Sequence, residues 1–170
     1  MQIRDSTSEE YAAILAMYPH AFPDEDLVPL VTELLADKPI RMSLVATGDN
    51  RVIGNVIFTA CRVDGSDAGV ALLAPLAVTP DCQRQGVGSA LVHDGLRRLG
   101  EAGYGVVCVL GDPAYYGRLG FAPEKRIEPP YPIPAQWADA WQSLYLADMA
   151  ALEGKFLVPP VWQHPELWTN

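Results

Sequence analysis

The spacing of apolar residues changes along the chain, and each spacing predicts an element. Residues 2–4 are typical of a short first strand. Thr7 and Glu10 have the spacing of a capping box, which predicts a helix start. Apolar residues then recur at helical period at Tyr11, Ile14, Leu15 and Tyr18. Pro19 predicts the end of this helix, because proline lacks the N–H that a helix interior requires.

A second helix and a hairpin follow. The helix is predicted after the acidic run 24–26, with one apolar face formed by Leu27, Leu30, Val31, Leu34 and Leu35. Residues 41–46 and 51–63 are predicted to be strands joined by a turn at 48–50.

The middle of the chain predicts a strand, a helix and a second strand. Residues 70–78 are almost all apolar, which is typical of a strand covered on both faces. An amphipathic helix is predicted over 86–102 and a second buried strand over 106–110, so the two strands should pair in parallel. Pro75 predicts a bulge in the first of them, which would free backbone groups for a ligand.

Composition and length agree with one domain over residues 1–170. With 49% hydrophobic and 19% charged residues, the chain can bury a substantial core. Eight of its 15 prolines lie from Pro123 onward, so the C-terminal part is predicted to be irregular and extended.

The net charge of −9 argues against general nucleic-acid binding, which needs positive charge. The charge is uneven: residues 1–37 hold eight acids and one base, a local −7, whereas residues 82–126 hold six bases and four acids, a local +2. The basic stretch either meets an anion or is a solvated helix face.

Several classes of protein are not indicated. No apolar segment of a signal peptide follows Met1, and the apolar run 70–78 is too short to span a membrane, so we expect a soluble, cytoplasmic protein. Three cysteines without C-x-x-C spacing and three separated histidines do not predict a disulfide framework or a metal site. Cys61 and Cys108 lie in apolar runs and are predicted to be buried.

The segment 75–91 carries the strongest chemical signal. A buried strand ends, a polar loop follows, and Gly86 and Gly88 open a helix. The unpaired N–H groups of a first helical turn, together with the helix dipole, suit a phosphate or pyrophosphate. A Walker A loop does not fit, because Ser89 stands where its lysine is required, and Arg84 stands where a dinucleotide fingerprint needs its first glycine.

The order Gln83-x-x-Gly86-x-Gly88 resembles the acetyl-CoA signature of the GNAT superfamily of N-acetyltransferases. Residues 114–121, which end in Tyr116-x-x-x-Gly120-Phe121, are similar to the closing helix of that superfamily. The resemblance covers residues 2–122 and leaves 123–170 as a Pro/Trp-rich C-terminal extension. It implies an α/β (α+β) fold with a mixed central sheet, flanking helices and a splayed central pair of parallel strands.

The resemblance also implies roles for individual residues. Backbone groups of Leu76 and Val78 would hold the pantetheine arm, and amides from Arg84 through Ser89 would hold the pyrophosphate. Tyr116 would protonate the departing CoA thiolate. The full set of coenzyme-binding residues implied in this way is Leu76, Ala77, Val78, Gln83, Arg84, Gln85, Gly86, Val87, Gly88, Ser89, Tyr115 and Arg118.

The chain departs from the superfamily pattern at two points. Many members have an asparagine before the closing helix, where this chain has Asp112, which either substitutes for it or caps the helix; we favour the cap. Strand 70–78 has no carboxylate to deprotonate an amine, so water, or an acid such as Asp24 or Glu25, would have to serve.

The expected function is transfer of an acetyl group from acetyl-CoA to a primary amine by a monomer or homodimer, without a metal. The alternative is an acyl-CoA-binding regulatory or interaction domain with little or no transfer. The acidic N-terminal region is compatible with a cationic acceptor. The aromatic residues of the extension would either wall the acceptor pocket or complete the core: Tyr131, Trp137, Trp141, Trp162 and Trp168.

Overall fold

The computed structural model describes residues 1–169 and has a mixed α/β architecture with mostly antiparallel strands. In chain order the strands are β1 (Gln2–Asp5), β2 (Arg41–Gly48), β3 (Arg51–Val63), β4 (Gly69–Val78), β5 (Tyr104–Leu110), β6 (Ala122–Pro123), β7 (Ile127–Glu128), β8 (Trp141–Tyr145) and β9 (Gly154–Leu157). The α-helices are α1 (Tyr11–Ala21), α2 (Val28–Ala36), α3 (Val87–Glu101) and α4 (Pro113–Tyr116). Short 3₁₀ helices lie at Ser8–Glu10, Lys38–Ile40, Pro80–Cys82, Gly117–Leu119, Ala135–Ala140, Pro160–Trp162 and Pro165–Leu167.

The chain divides into two compact units. Unit 1 contains Met1–Thr59 and Ala74–Arg97, and unit 2 contains Ala60–Leu73 and the chain from Arg98 onward. Strands β3 and β4 therefore contribute residues to both units.

In unit 1, β1, β2 and β3 form an antiparallel sheet that is covered on both faces. The Tyr18 hydroxyl of α1 donates to the Asn55 side chain at 2.8 Å, and Phe58 lies against Gly95 of α3. Side chains of a strand alternate between its two faces, so Asn55 and Phe58 point in opposite directions. Helices α1 and α3 therefore pack on opposite faces of β3.

In unit 2, β4 and β5 pair in parallel, as predicted, and β5 pairs antiparallel with β8, which also pairs with β6. The β4–β5 ladder runs only from Gly69 opposite Tyr104 to Leu72 opposite Cys108. Its register shift lies between Gly69 and Val70. The bulge predicted at Pro75 is therefore not part of this ladder, which ends before Pro75 is reached.

The C-terminal extension forms much of the core of unit 2. The Trp141 ring contacts Phe156 edge-on, with centroids 5.3 Å apart, and Trp168, with centroids 5.9 Å apart. Trp141, Trp162 and Trp168 are 1%, 5% and 2% exposed. These three residues thus complete the core, which was one of the two alternatives, whereas Tyr131 and Trp137 are part-exposed.

Two predictions about local structure need correction. Helix α1 does not end at Pro19 but continues to Ala21, because the N–H of Phe22 bonds to the carbonyl of Tyr18 at 2.8 Å and closes the last turn without Pro19. The extension also contains β7, β8 and β9, which were not predicted. Cys61 and Cys108 are buried, as predicted, and both are free thiols.

Two further findings concern residues 1–169. No helix in this range is long and apolar enough to cross a membrane. No three or more His, Cys, Asp or Glu side chains within it are grouped so that they could hold a metal ion.

Candidate active site

The predicted coenzyme-binding residues from Leu76 to Ser89 all lie in unit 1. Leu76, Ala77 and Val78 end β4, and α3 begins at Val87. We call the connection between them, residues 79–86, the glycine loop. Residues 83–86 of this loop are exposed to solvent.

The backbone of the glycine loop has an unusual conformation. Arg84 has φ of 62° and Gly86 has φ of 85°, both in the left-handed region. Residues in this conformation can turn successive N–H groups toward a shared concave site for an anion. A Cβ placed on Gly86 would meet nothing within 4 Å, so glycine is needed there for its backbone angle and the surface beside it is open.

Helix α3 starts directly after this loop and supplies further donors. Its first intrahelical bond runs from the N–H of Ala90 to the carbonyl of Gly86 at 3.0 Å. The amides before Ala90 therefore have no acceptor within the helix, and the dipole of a 15-residue helix adds positive potential at this end. This combination fits a pyrophosphate group.

Close packing holds the start of α3 against β3. Val87 and Leu91 are 6% and 0% exposed. A Cβ at Gly54 would lie 2.9 Å from Leu91 Cδ1 and 3.1 Å from Val87 Cγ1. The absence of a side chain at Gly54 therefore lets the helix start lie against the strand.

Polar side chains bind the glycine loop to itself, to the end of β4 and to β3. The Gln83 side chain donates to the carbonyl of Val78 at 2.9 Å, and that of Gln85 donates to the carbonyl of Asp81 at 3.1 Å. The Arg51 guanidinium donates to the Asp81 carboxylate at 2.5 Å and lowers the pKa of that carboxyl below its ordinary value. Sequence reasoning missed Arg51, because it lies 30 residues from Asp81 and outside the glycine motif.

The predicted residues Tyr115, Tyr116 and Arg118 lie in unit 2, in a segment that we call the tyrosine turn (residues 111–121). Asp112 caps its helix α4, with its side chain accepting from the N–H of Ala114 at 2.9 Å. Of the two alternatives for Asp112, the structure shows the cap. Arg118 is exposed, whereas Tyr115 and Tyr116 are part-buried.

Packing fixes the ring of Tyr116. It meets Tyr115 and Phe121 edge-on, with centroid distances of 5.0 and 5.7 Å. A Cβ at Gly111 would lie only 2.5 Å from Tyr116 Cε2, so the ring occupies the space that a side chain at Gly111 would fill. Sequence reasoning also missed Gly111, because a glycine at the end of a strand gives no sign of which ring lies over it.

Burial raises the pKa of the Tyr116 phenol above its ordinary value near 10, and the neighbouring Tyr115 adds to this effect. The hydroxyl is therefore protonated at neutral pH and can act as a proton donor.

An acidic concavity lies in the connection between α1 and α2, in unit 1. It has a volume of about 250 Å³, and exposed carboxylates form part of its wall. Its lining residues are Pro19, Phe22, Pro23, Asp24, Glu25, Asp26, Leu27 and Val28.

Comparisons with known proteins give a consistent result. A family model for the acetyltransferase (GNAT) domain matches residues 39–123. The uncharacterized N-acetyltransferase YhbS of Escherichia coli K12 is 39% identical over 122 residues, which are 71% of this chain and 73% of that protein.

Solved structures agree. A crystal structure of E. coli YhbS in complex with CoA matches with a TM-score of 0.84 and 32% identity, covering 96% of this chain and 92% of the other. A GNAT family acetyltransferase from Brucella melitensis, in complex with acetyl-CoA, matches with a TM-score of 0.77 and 27% identity over 95% of this chain and 97% of the other.

Proposed function

Because this chain belongs to the GNAT superfamily and is an acetyl-CoA-dependent acetyltransferase, we propose that it moves the acetyl group directly from acetyl-CoA to a primary amine. The observation that carries the proposal is the glycine loop. Its left-handed residues, Arg84 and Gly86, lead into the unpaired amides at the start of α3. A coenzyme with a pyrophosphate is the ligand that such a site suits.

We propose that backbone groups of this region bind the coenzyme. Those of Leu76, Ala77 and Val78 would hold the pantetheine arm in the manner of a strand, and amides from Arg84 through Ser89 would hold the pyrophosphate. Three features support the pyrophosphate part of this assignment: the exposed loop, the open surface beside Gly86 and the helix dipole. The exposed guanidinium of Arg84 would add a charge-assisted contact to a phosphate.

We propose Tyr116 as the general acid. Bound acetyl-CoA supplies an acetyl thioester, whose carbonyl carbon forms a C–N bond with the amine as its C–S bond breaks. A backbone amide of β4 would polarise the carbonyl, and the Tyr116 hydroxyl would give its proton to the sulfur that leaves. Two features support the role: the phenol is protonated at neutral pH and so has a proton to give, and packing against Phe121 and Gly111 holds its ring in place. Tyr115 and Arg118 would line the coenzyme.

We propose a cationic amine as the acceptor. Residues 1–37 carry a local charge of −7, and Asp24, Glu25 and Asp26 line a concavity in this region. Because β4 carries no carboxylate, the proton that the amine loses would pass to water or to an acid such as Asp24 or Glu25.

The first experiment measures binding and the second measures turnover. We expect saturating acetyl-CoA to raise the melting temperature of the protein, and release of free thiol to accompany addition of a suitable amine. Binding without turnover across a broad amine panel would support the regulatory alternative. Absence of any stabilisation by acetyl-CoA would contradict both functions.

The acceptor assignment has its own test. Among the amines that are turned over, those with additional positive charge should have the lower KM, and this preference should weaken as salt screens the charge. Asp24→Asn and Glu25→Gln should raise KM for the cationic amines while KM for acetyl-CoA stays the same. Equal use of neutral and cationic amines would contradict the assignment.

A further inference from the structure

An exposed ion pair joins β3 to the glycine loop. Arg51 is the first residue of β3, and its guanidinium donates to Asp81 in the 3₁₀ helix Pro80–Cys82. The two side chains are 47% and 65% exposed. Ion pairs so exposed add little to folding stability, because solvent screens them. The pair is of interest because it connects β3 to the glycine loop.

Other bonds extend the connection into the loop. The N–H of Thr79 donates to the carbonyl of Ile53 at 2.9 Å, which ties the beginning of the loop to β3. Asp81 accepts hydrogen bonds from both sides of this connection. Its carboxylate accepts from Arg51, and its backbone carbonyl accepts from the Gln85 side chain at 3.1 Å. Gln85 lies between Arg84 and Gly86, the two residues with positive φ.

We propose that Arg51 and Asp81 are positioning residues that hold the glycine loop in the conformation that binds coenzyme A. The inference rests on the proposed coenzyme site and adds two residues that do not contact the ligand themselves. Through Asp81, the pair fixes the segment on which the unusual backbone of Arg84 and Gly86 depends. A loop that is already in its bound conformation loses less entropy when the ligand arrives.

Electrostatics alone predicts the opposite effect for Asp81. This carboxylate lies six residues before the first amide of α3, so its negative charge should weaken binding of a polyanion, and its removal should improve binding. Positioning predicts that its removal weakens binding. The sign of the change in affinity therefore separates the two explanations.

The test is a calorimetric titration with coenzyme A. We expect Asp81→Ala and Arg51→Ala each to raise the Kd for coenzyme A by roughly threefold to fivefold, near the upper limit for an exposed ion pair. The double variant should bind no more weakly than either single variant, because the two residues act as one unit. Asp139→Ala is the matched control, since Asp139 forms an exposed ion pair with Lys125 at 3.0 Å outside the loop.

A second readout follows the loop without ligand. The Thr79 and Cys82 amides of the loop are hydrogen-bonded, and their hydrogen exchange should be faster in Asp81→Ala than in wild type and unchanged in Asp139→Ala. Equal or tighter coenzyme binding by Asp81→Ala, or additive effects in the double variant, would overturn the inference while leaving the proposed function intact. A wild-type protein that binds no coenzyme A would overturn the proposed function first and this inference with it.

Discussion

The glycine loop and the tyrosine turn are built in different ways. The loop is exposed, offers mainly backbone N–H groups, and is held by polar side chains such as Gln83 and Gln85. The turn offers one side chain, Tyr116, and holds it by packing against Gly111 and Phe121. A site made from local backbone can be predicted from the spacing of glycines in the sequence. A site that depends on packing cannot be predicted in this way.

The largest expected effect comes from the turn. Tyr116→Phe removes one proton donor and keeps the ring, so kcat should fall by about 10²- to 10⁴-fold, as is typical for loss of a general acid. The Kd for acetyl-CoA should stay unchanged, because the glycine loop is intact. Tyr104→Phe, the same chemical change in β5, should leave kcat near wild type. If Tyr116→Phe were as active as wild type, the turn would have no role in proton transfer.

A second substitution tests whether packing positions Tyr116. In Gly111→Ala the new Cβ would overlap Tyr116 Cε2, so the ring must move and kcat should fall by roughly 10- to 100-fold. Gly117→Ala is the control within the same turn, because a Cβ there meets nothing within 4 Å. In the Tyr116→Phe background Gly111→Ala should have little further effect on kcat. Equal losses for Gly111→Ala and Gly117→Ala would show that the ring is not held in this way.

A third pair of variants tests how tightly α3, the helix that follows the glycine loop, packs on β3. A Cβ at Gly95 would lie 2.2 Å from the buried Phe58 ring, so Gly95→Ala should lower the free energy of unfolding by about 1–3 kcal/mol. Gly100→Ala, in the same helix with open space around it, should raise it by up to about 1 kcal/mol through helix propensity. Urea unfolding measures the free energy of unfolding of both variants. A stabilised Gly95→Ala would mean that α3 packs less tightly on β3 than the structure shows.

The smallest effect concerns a polar contact away from both sites. Hydrogen bonds from Arg4 hold the pKa of Glu10 at about 2, below its ordinary 4.5. The stability that ionised Glu10 contributes is thus present above pH 4.5 and is lost as the pH falls toward 2. Urea unfolding of Glu10→Gln should therefore show lower stability than wild type at pH 7 and a shrinking difference below pH 4.5. A difference that is constant with pH would contradict this assignment.

The sequence predicted the loop and its helix well. The helix expected over 86–102 is α3 at Val87–Glu101, because glycine spacing and apolar period are local signals. The resemblance to the GNAT superfamily and its mixed fold with flanking helices are confirmed by the family match and by the YhbS structure. The residue roles in coenzyme binding and proton transfer stay predictions.

Two of the missed features, β8 and the Arg51–Asp81 pair, depend on partners far along the chain. Strand β8 exists because it pairs with β5, more than 30 residues earlier in the chain, and its own sequence gave no alternating pattern. Arg51 and Gly111 acquire their contacts only in the folded chain. The prediction that α1 ends at Pro19 was wrong for a local reason. The amide of Phe22 closes the last turn of α1, so the helix tolerates the proline.

The most direct test of the account compares two glycines. Gly86 and Gly65 have φ of 85° and 84°, and a Cβ on either would meet nothing within 4 Å, so alanine strains both backbones alike. Calorimetric titration with coenzyme A should show a Kd raised by roughly fivefold to thirtyfold for Gly86→Ala, the cost of a left-handed alanine, and a wild-type Kd for Gly65→Ala. Equal Kd values for both variants and wild type would contradict binding of the coenzyme by the glycine loop.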